Sequence, residues 1–185
     1  MLLITCQVVN KLSNWKTTLS SDSILIPRRL EERDQDRLQS IYRLLQKTHI
    51  EGDLDLHNIK ITNLGNLTSV GGSLYLFGTP ITNLGNLTSV GGSLSLNDTP
   101  IMNLGNLTSV GGYLDLSNTL IKDLGNLTSV GRSLWLINTP ITNLSDLTLV
   151  RGNLWLRNTP ISRLPKRERD KILSKVKIEG GLYFE

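Results

Sequence analysis

The chain has few of the residues that carry cross-links or chemistry. One cysteine, Cys6, in 185 residues excludes an internal disulfide framework and reads as a small buried hydrophobe. The two histidines, His49 and His57, lack a cysteine or histidine partner at metal-ligand spacing, so no metal site is expected. There is no G-x-S-x-G, no phosphate-binding glycine loop followed by Lys and Ser or Thr, and no cysteine paired with a histidine. These absences read as a protein that is not an enzyme and needs no cofactor. No apolar run approaches the roughly 18 residues of a membrane-spanning helix, so no membrane is expected among its partners. The opening MLLITCQVVNK lacks a basic n-region and a small-residue cleavage site. That points to the cytoplasm, with a secreted effector as the alternative.

Charge is also sparse where it would matter most. Residues 1 to 52 carry eight Lys or Arg against six acids, residues 53 to 160 five against six, and residues 161 to 185 seven against four. The net +4 therefore sits at the two ends, and the long middle is nearly neutral. Nucleic-acid or anionic-surface binding through the basic ends is the less favoured class. PRR and PKRERDK interleave acids with their cations, and the middle offers no track for phosphates.

What the chain does have is repetition. LGNLTSVGG runs from Leu64 to Gly72, returns at Leu84 and Leu104, and recurs at Leu124 with Arg132 in place of one glycine. Units beginning at Ile61, Ile81, Ile101, Ile121 and Ile141 each occupy twenty residues without insertion. Leu74 and Leu76 alternate with Ser73, Tyr75 and Phe77, the period of a short strand with one buried face. Leu64, Leu67 and Val70 step by three, which suits a 3₁₀-like or extended return. Gly71 and Gly72 precede the strand, where left-handed backbone would cost glycine little. Pro80 lies just past it, where a missing amide donor does no harm. The threonines at 79, 99, 119, 139 and 159 read as a hydroxyl ladder that satisfies backbone groups at the bend. Stacked coils would bury leucine columns that no single coil can bury alone. The N-L-T triplets at Asn66, Asn86, Asn106 and Asn126 match a glycosylation acceptor but follow from the repeat itself.

The run LTSVGGSLYLFGTPI resembles a leucine-rich repeat, in which L-x-x-L precedes L-x-L-x-x-N-x-L. Val70 stands in the second leucine position, Thr79 where the family usually has Asn, and Ile81 closes the unit. The threonine and the glycine pair depart from the commonest pattern and suggest a short bacterial or phage-like variant. The resemblance covers roughly residues 50 to 161. Steps of three, four and two do not fit a pentapeptide β-helix, and the turns lack the aspartates of a calcium-binding β-roll. The expected fold is a β-rich solenoid with about seven parallel strands in one curved sheet, 3₁₀ or extended returns, a helical N-terminal cap and a helical insert before the last strand. The expected organisation is an N-terminal cap over 1–48 with a helix over about 28–47, repeats over 49–161, and a C-terminal helical insert and final strand over 162–185. Leu38, Ile41, Tyr42 and Leu45 share one face of the first helix. Leu182 and Phe184 take the strand-leucine places of the last coil. Residues 1–26 read as a strand or buried arm followed by a loop.

Variation within the repeat points to function. The outward row between the strand leucines runs Asp55, Tyr75, Ser95, Asp115, Trp135, Trp155, Tyr183, and the next row His57, Phe77, Asn97, Ser117, Ile137, Arg157, Glu185. Neighbouring strands lie about 4.8 Å apart, so Trp135, Trp155, Ile137 and Arg157 should form one patch. The resemblance implies that this concave face grips a protein partner, and Trp, Tyr and Arg are common binding hot spots. Tyr75, Phe77, Tyr113 and Tyr183 complete the expected partner-binding set. The bland alternative is that the aromatics merely cover the sheet. Asp53, Asp55 and Asp115 read as solvated positions, not a catalytic pair. A last strand with an open edge offers a further class, a homodimer through the C-terminal edge.

Overall fold

The computed structural model describes residues 39–41 and 43–185. The expectations for Cys6, for the arm at 1–26, for the first helix over 28–38, and for Leu38 and Tyr42 lie outside the described residues.

Every coil contributes two short strands. One set comprises β1 (His49–Ile50), β3 (Ser69–Val70), β5 (Ser89–Val90), β7 (Ser109–Val110), β9 (Ser129–Val130), β11 (Leu149–Val150) and β13 (Lys177–Ile178). The other comprises β2 (Leu54–Asp55), β4 (Leu74–Tyr75), β6 (Leu94–Ser95), β8 (Leu114–Asp115), β10 (Leu134–Trp135), β12 (Leu154–Trp155) and β14 (Leu182–Tyr183). Each set forms one seven-stranded parallel sheet in chain order. The inner coils pair residue with residue twenty positions on, as in Leu74 with Leu94 and Val70 with Val90. The chain is thus the parallel solenoid expected from its repeat, but with two sheets where one was expected. The reason is coil length: when successive coils are equally long, any extended segment lies in register on its copy. The return leg therefore pairs as well, with the Gly91 amide donating to the Val70 carbonyl at 2.8 Å.

The core follows the apolar steps. Ile81, Leu84, Leu87, Leu74 and Leu76 are fully buried, Val90 is almost so, and their copies form columns along the solenoid. Between Leu64 and Leu67 the chain makes a tight turn, closed by the Leu67 amide donating to the Leu64 carbonyl at 3.2 Å. The side chain of Asn63 accepts from the Gly65 amide at 3.0 Å, and Gly65 has φ of 60°. The same asparagine or aspartate turn recurs at 83, 103, 123 and 143.

Two sequence expectations are corrected here. Gly71 and Gly72 are not the left-handed residues of the coil; those are Gly65, Gly85, Gly105, Gly125 and Ser145 and, after the leucine strands, Asn58, Gly78, Asp98, Asn118, Asn138 and Asn158. The glycine pair answers to close approach instead. A Cβ on Gly91, Gly111 or Gly131 would stand less than 3.0 Å from the carbonyl oxygen of the preceding coil's glycine. The threonine column, in turn, does not bridge coils. Thr79 donates to the Leu76 carbonyl of its own coil at 2.7 Å, and its copies do likewise. It satisfies backbone at the bend, as expected, but as a set of local bonds. The ladder between coils is built by Thr68, Thr88, Thr108, Thr128 and Thr148, each donating to the carbonyl twenty residues before it.

Residues 39–41 and 43–45 are helical, and Ile41 and Leu45 join the core. Near the other end, a 3₁₀ turn (Ile161–Arg163) leads through Pro165 into α1 (Lys166–Leu173), which lies beside Leu144 and Leu147 of the preceding coil across a hollow that Ile172 and Val176 also line. The eight extra residues of this last coil give the helix its room. Leu182 pairs with Leu154 as expected, yet is 37% exposed because no described coil stacks beyond it. Phe184 is half-buried, with the Arg169 guanidinium 4.1 Å above its ring centroid.

Candidate partner-binding face

The leucine-bearing sheet turns three rows of side chains outward. Alternation requires it: Leu74 and Leu76 point in, so Ser73, Tyr75 and Phe77 point out. The row at 73 is mostly structural. Asp53 accepts from the Ser73 amide at 2.6 Å, Ser73 from Ser93, Ser93 from Tyr113 at 3.1 Å, Ser133 from Asn153, and Asn153 from Gly181 at 2.7 Å. Tyr113 interrupts this run of short acceptors and places an exposed ring where the other coils keep a small polar group.

The structure divides the expected site residues into two groups. Trp135 and Trp155 are direct neighbours in register, and Trp155 is followed by Tyr183. Their rings take different partners, however. Trp155 stacks on Tyr183 with centroids 4.0 Å apart at 11°, whereas Trp135 stacks on Tyr113 at 5.2 Å and 29°. The tryptophans are half-buried as a result, and the exposed rings are Tyr113 and Tyr183, at 38% and 39%. Ile137 is half-buried and Arg157 exposed in the adjoining row. Tyr75 and Phe77 stand apart, since the polar rungs of Ser95 and Asp115 separate them from Trp135. Phe77 stacks instead on His57, at 4.8 Å and 11°, and the His57 ring is held 2.5 Å from Asp55.

One contributor escaped sequence reading. Arg132 lies over the Tyr113 ring at 5.3 Å and donates to its hydroxyl at 3.3 Å. The signal was available, because Arg132 is the residue that breaks the glycine pair in an otherwise repeated phrase. A cation over a ring fixes both side chains and leaves a positive charge beside the aromatic cluster.

The two ends of this face differ in charge. In its three outward rows Asp53 and Asp55 stand on the first rung and Asp115 on the fourth, whereas Arg157 stands on the sixth and Glu185 on the seventh, with Arg132 at the margin of the fifth. The other sheet presents Ser69, Ser89, Ser109 and Ser129 beside the glycine column, a shallow surface with few large side chains to anchor a partner. Among the described residues no three His, Cys, Asp or Glu side chains gather as a metal site would require. Among the same residues no helix is long and apolar enough to cross a membrane.

No family model, curated protein or solved structure matches the chain. The class that the fold defines is a parallel β-solenoid of twenty-residue coils with two sheets.

Proposed function

We propose that this protein is a non-catalytic binding module that holds a protein partner against the outward face of the leucine-bearing sheet. The observation that carries the reading is the cluster of Tyr113, Trp135, Trp155 and Tyr183, flanked by Arg132, Ile137 and Arg157. These side chains are ordered by mutual stacking before any partner arrives, so little rotamer freedom remains to be lost on binding. Large aromatic and guanidinium groups in such a patch are the usual carriers of interface energy. Tyr75 and Phe77 form a second, separate anchor. We also propose kinship with leucine-rich repeats, on the L-x-L strand and the closing T-x-I of each coil.

Capture from extract of the native host, with nuclease present, tests this reading. A partner retained by the wild type and lost by a Trp135→Asp, Trp155→Asp double variant of unchanged circular dichroism supports it. Retention of the same partner by that variant assigns the aromatics to sheet packing. A second reading, self-association through the C-terminal edge, is favoured by the 37% exposure of Leu182, whose equivalents in other coils are at most 4% exposed.

A further inference from the structure

We propose that the partner-binding face is self-complementary and that two copies of the chain pair through it, face to face, with their solenoid axes antiparallel. The inference rests on the reading of that face as an interaction surface and names its occupant.

A closed dimer is isologous, so whatever lies at one end of the face meets what lies at the other end of the second copy, or meets itself. A two-fold axis running across the strands, along the solenoid, would place each rung on its own copy with the rows reversed, opposing Asp55 to Asp55 and Asp115 to Asp115 and setting Arg157 against Asn153. A two-fold axis parallel to the strands reverses the order of the rungs. The first rung then meets the seventh, the second the sixth and the third the fifth, and the rows keep their identity.

The residues fit the second arrangement. In the row at 77, Phe77 faces Arg157 of the second copy, a guanidinium against a ring, and His57 faces Glu185. In the row at 75, Tyr75 faces Trp155, Ser95 faces Trp135, and Asp55 faces the Tyr183 hydroxyl. Asp55, Tyr75 and Phe77 near the first rungs thus find a hydroxyl, a ring and a cation at the last, while Asp53 in the row at 73 faces Gly181. Every such contact occurs twice. Asn97 faces Ile137, and the one like-charge pair falls on the fourth rung, where Asp115 lies on the axis and meets its own copy.

The size is adequate for a concentration-dependent dimer. Seven strands at about 4.8 Å make a face about 29 Å long. Three outward rows and their side chains span roughly 20 Å, so each copy would bury on the order of 600 Å², near the lower end of specific interfaces. The ordered stacks of Trp155 on Tyr183 and of His57 on Phe77 keep the contacting groups in place in the free chain.

Sedimentation of the full chain across about 1 to 200 μM reads the outcome. The wild type is expected to rise from 20.6 kDa toward twice that mass. Arg157→Glu and Phe77→Arg, each counted twice by symmetry, should weaken pairing by about tenfold or more. Together in one chain they should restore it. The two positions are four strands apart, about 19 Å, so they can compensate only through a second copy. Asp115→Asn keeps the acceptor that the Ser117 amide uses at 2.9 Å and removes the like-charge pair on the axis. It should tighten the dimer by about two- to fivefold. A wild type that stays monomeric throughout overturns self-pairing, while the capture experiment above still judges the face as a binding surface. A dimer that ignores Arg157→Glu, or a double variant that fails to recover, also overturns it, and a dimer then lost on Leu182→Asp lies at the edge strand.

Discussion

Replacing Thr119 with valine keeps the branched shape of the side chain and removes only its hydroxyl. Thr119 is 2% exposed, and that hydroxyl donates to the Leu116 carbonyl at 2.7 Å. The substitution leaves a buried carbonyl without this donor, at a cost of about 1–3 kcal/mol. The new methyl returns at most about 0.8 kcal/mol of burial. With that offset in full the net loss is about 0.2–2 kcal/mol, which in a chain of this length lowers the melting temperature by up to about 8 °C. Urea and thermal midpoints followed by circular dichroism would measure it, with variant and wild type compared under matched conditions, because repeat arrays do not always unfold in one step. Each threonine bonds only within its own coil, so Thr79→Val and Thr119→Val, two coils or about 9.6 Å apart, should together lose about twice as much as one. Valine at 119 as stable as threonine would refute the reasoning and make the column a matter of packing alone.

The stacking contacts give further tests. Gly111→Ala places a Cβ against the Gly91 carbonyl, with hydrogen-bonded coils on both sides, and should cost about 1–3 kcal/mol in the same assay; Gly52→Ala enters open space and should stay within about 0.5 kcal/mol. Asn138 has φ of 57° and links Asn118 to Asn158 through two 2.8 Å side-chain bonds, so Asn138→Ala should melt lower than Asn138→Gly by about 1 kcal/mol, the left-handed penalty that glycine escapes. Glu179 accepts a hydrogen bond from Lys177 at 2.8 Å, which together with that lysine's charge holds its carboxyl below the ordinary glutamate value. Its folded-state pKa is the lower one, so the contribution of the pair is present above the unfolded value and is lost as pH falls through the folded one. NMR titration should show this depression in the wild type and its disappearance in Lys177→Gln.

The leucine strands were legible because the chain repeats and because Leu74, Tyr75 and Leu76 alternate over enough residues to show a period of two. The return leg was not legible as a sheet. Ser69–Val70 is two residues long, set between a turn and a glycine, and no alternation can be read from so short a piece. The left-handed corner was written in the sequence, in the succession Asn58, Gly78, Asp98, Asn118, Asn138, Asn158, since these are the residues that tolerate positive φ. The glycine pair drew the attention instead, and its cause lies in the neighbouring coil.

The face follows the same division. That Trp135, Trp155 and Tyr183 would share a column could be counted from the period alone, because equal coils place equivalent residues one strand apart. Which ring stacks on which could not be counted. Trp135 turns to Tyr113 in the preceding coil and Trp155 to Tyr183 in the next, and Arg132 settles over Tyr113. The twenty-residue period by itself determined the solenoid, its buried columns and the order of its outward rows, since those depend only on chain length per coil and on which residues shun water. The second sheet, the need for glycine and the pairing of the aromatics were decided by tertiary structure, because each depends on distances between atoms of different coils.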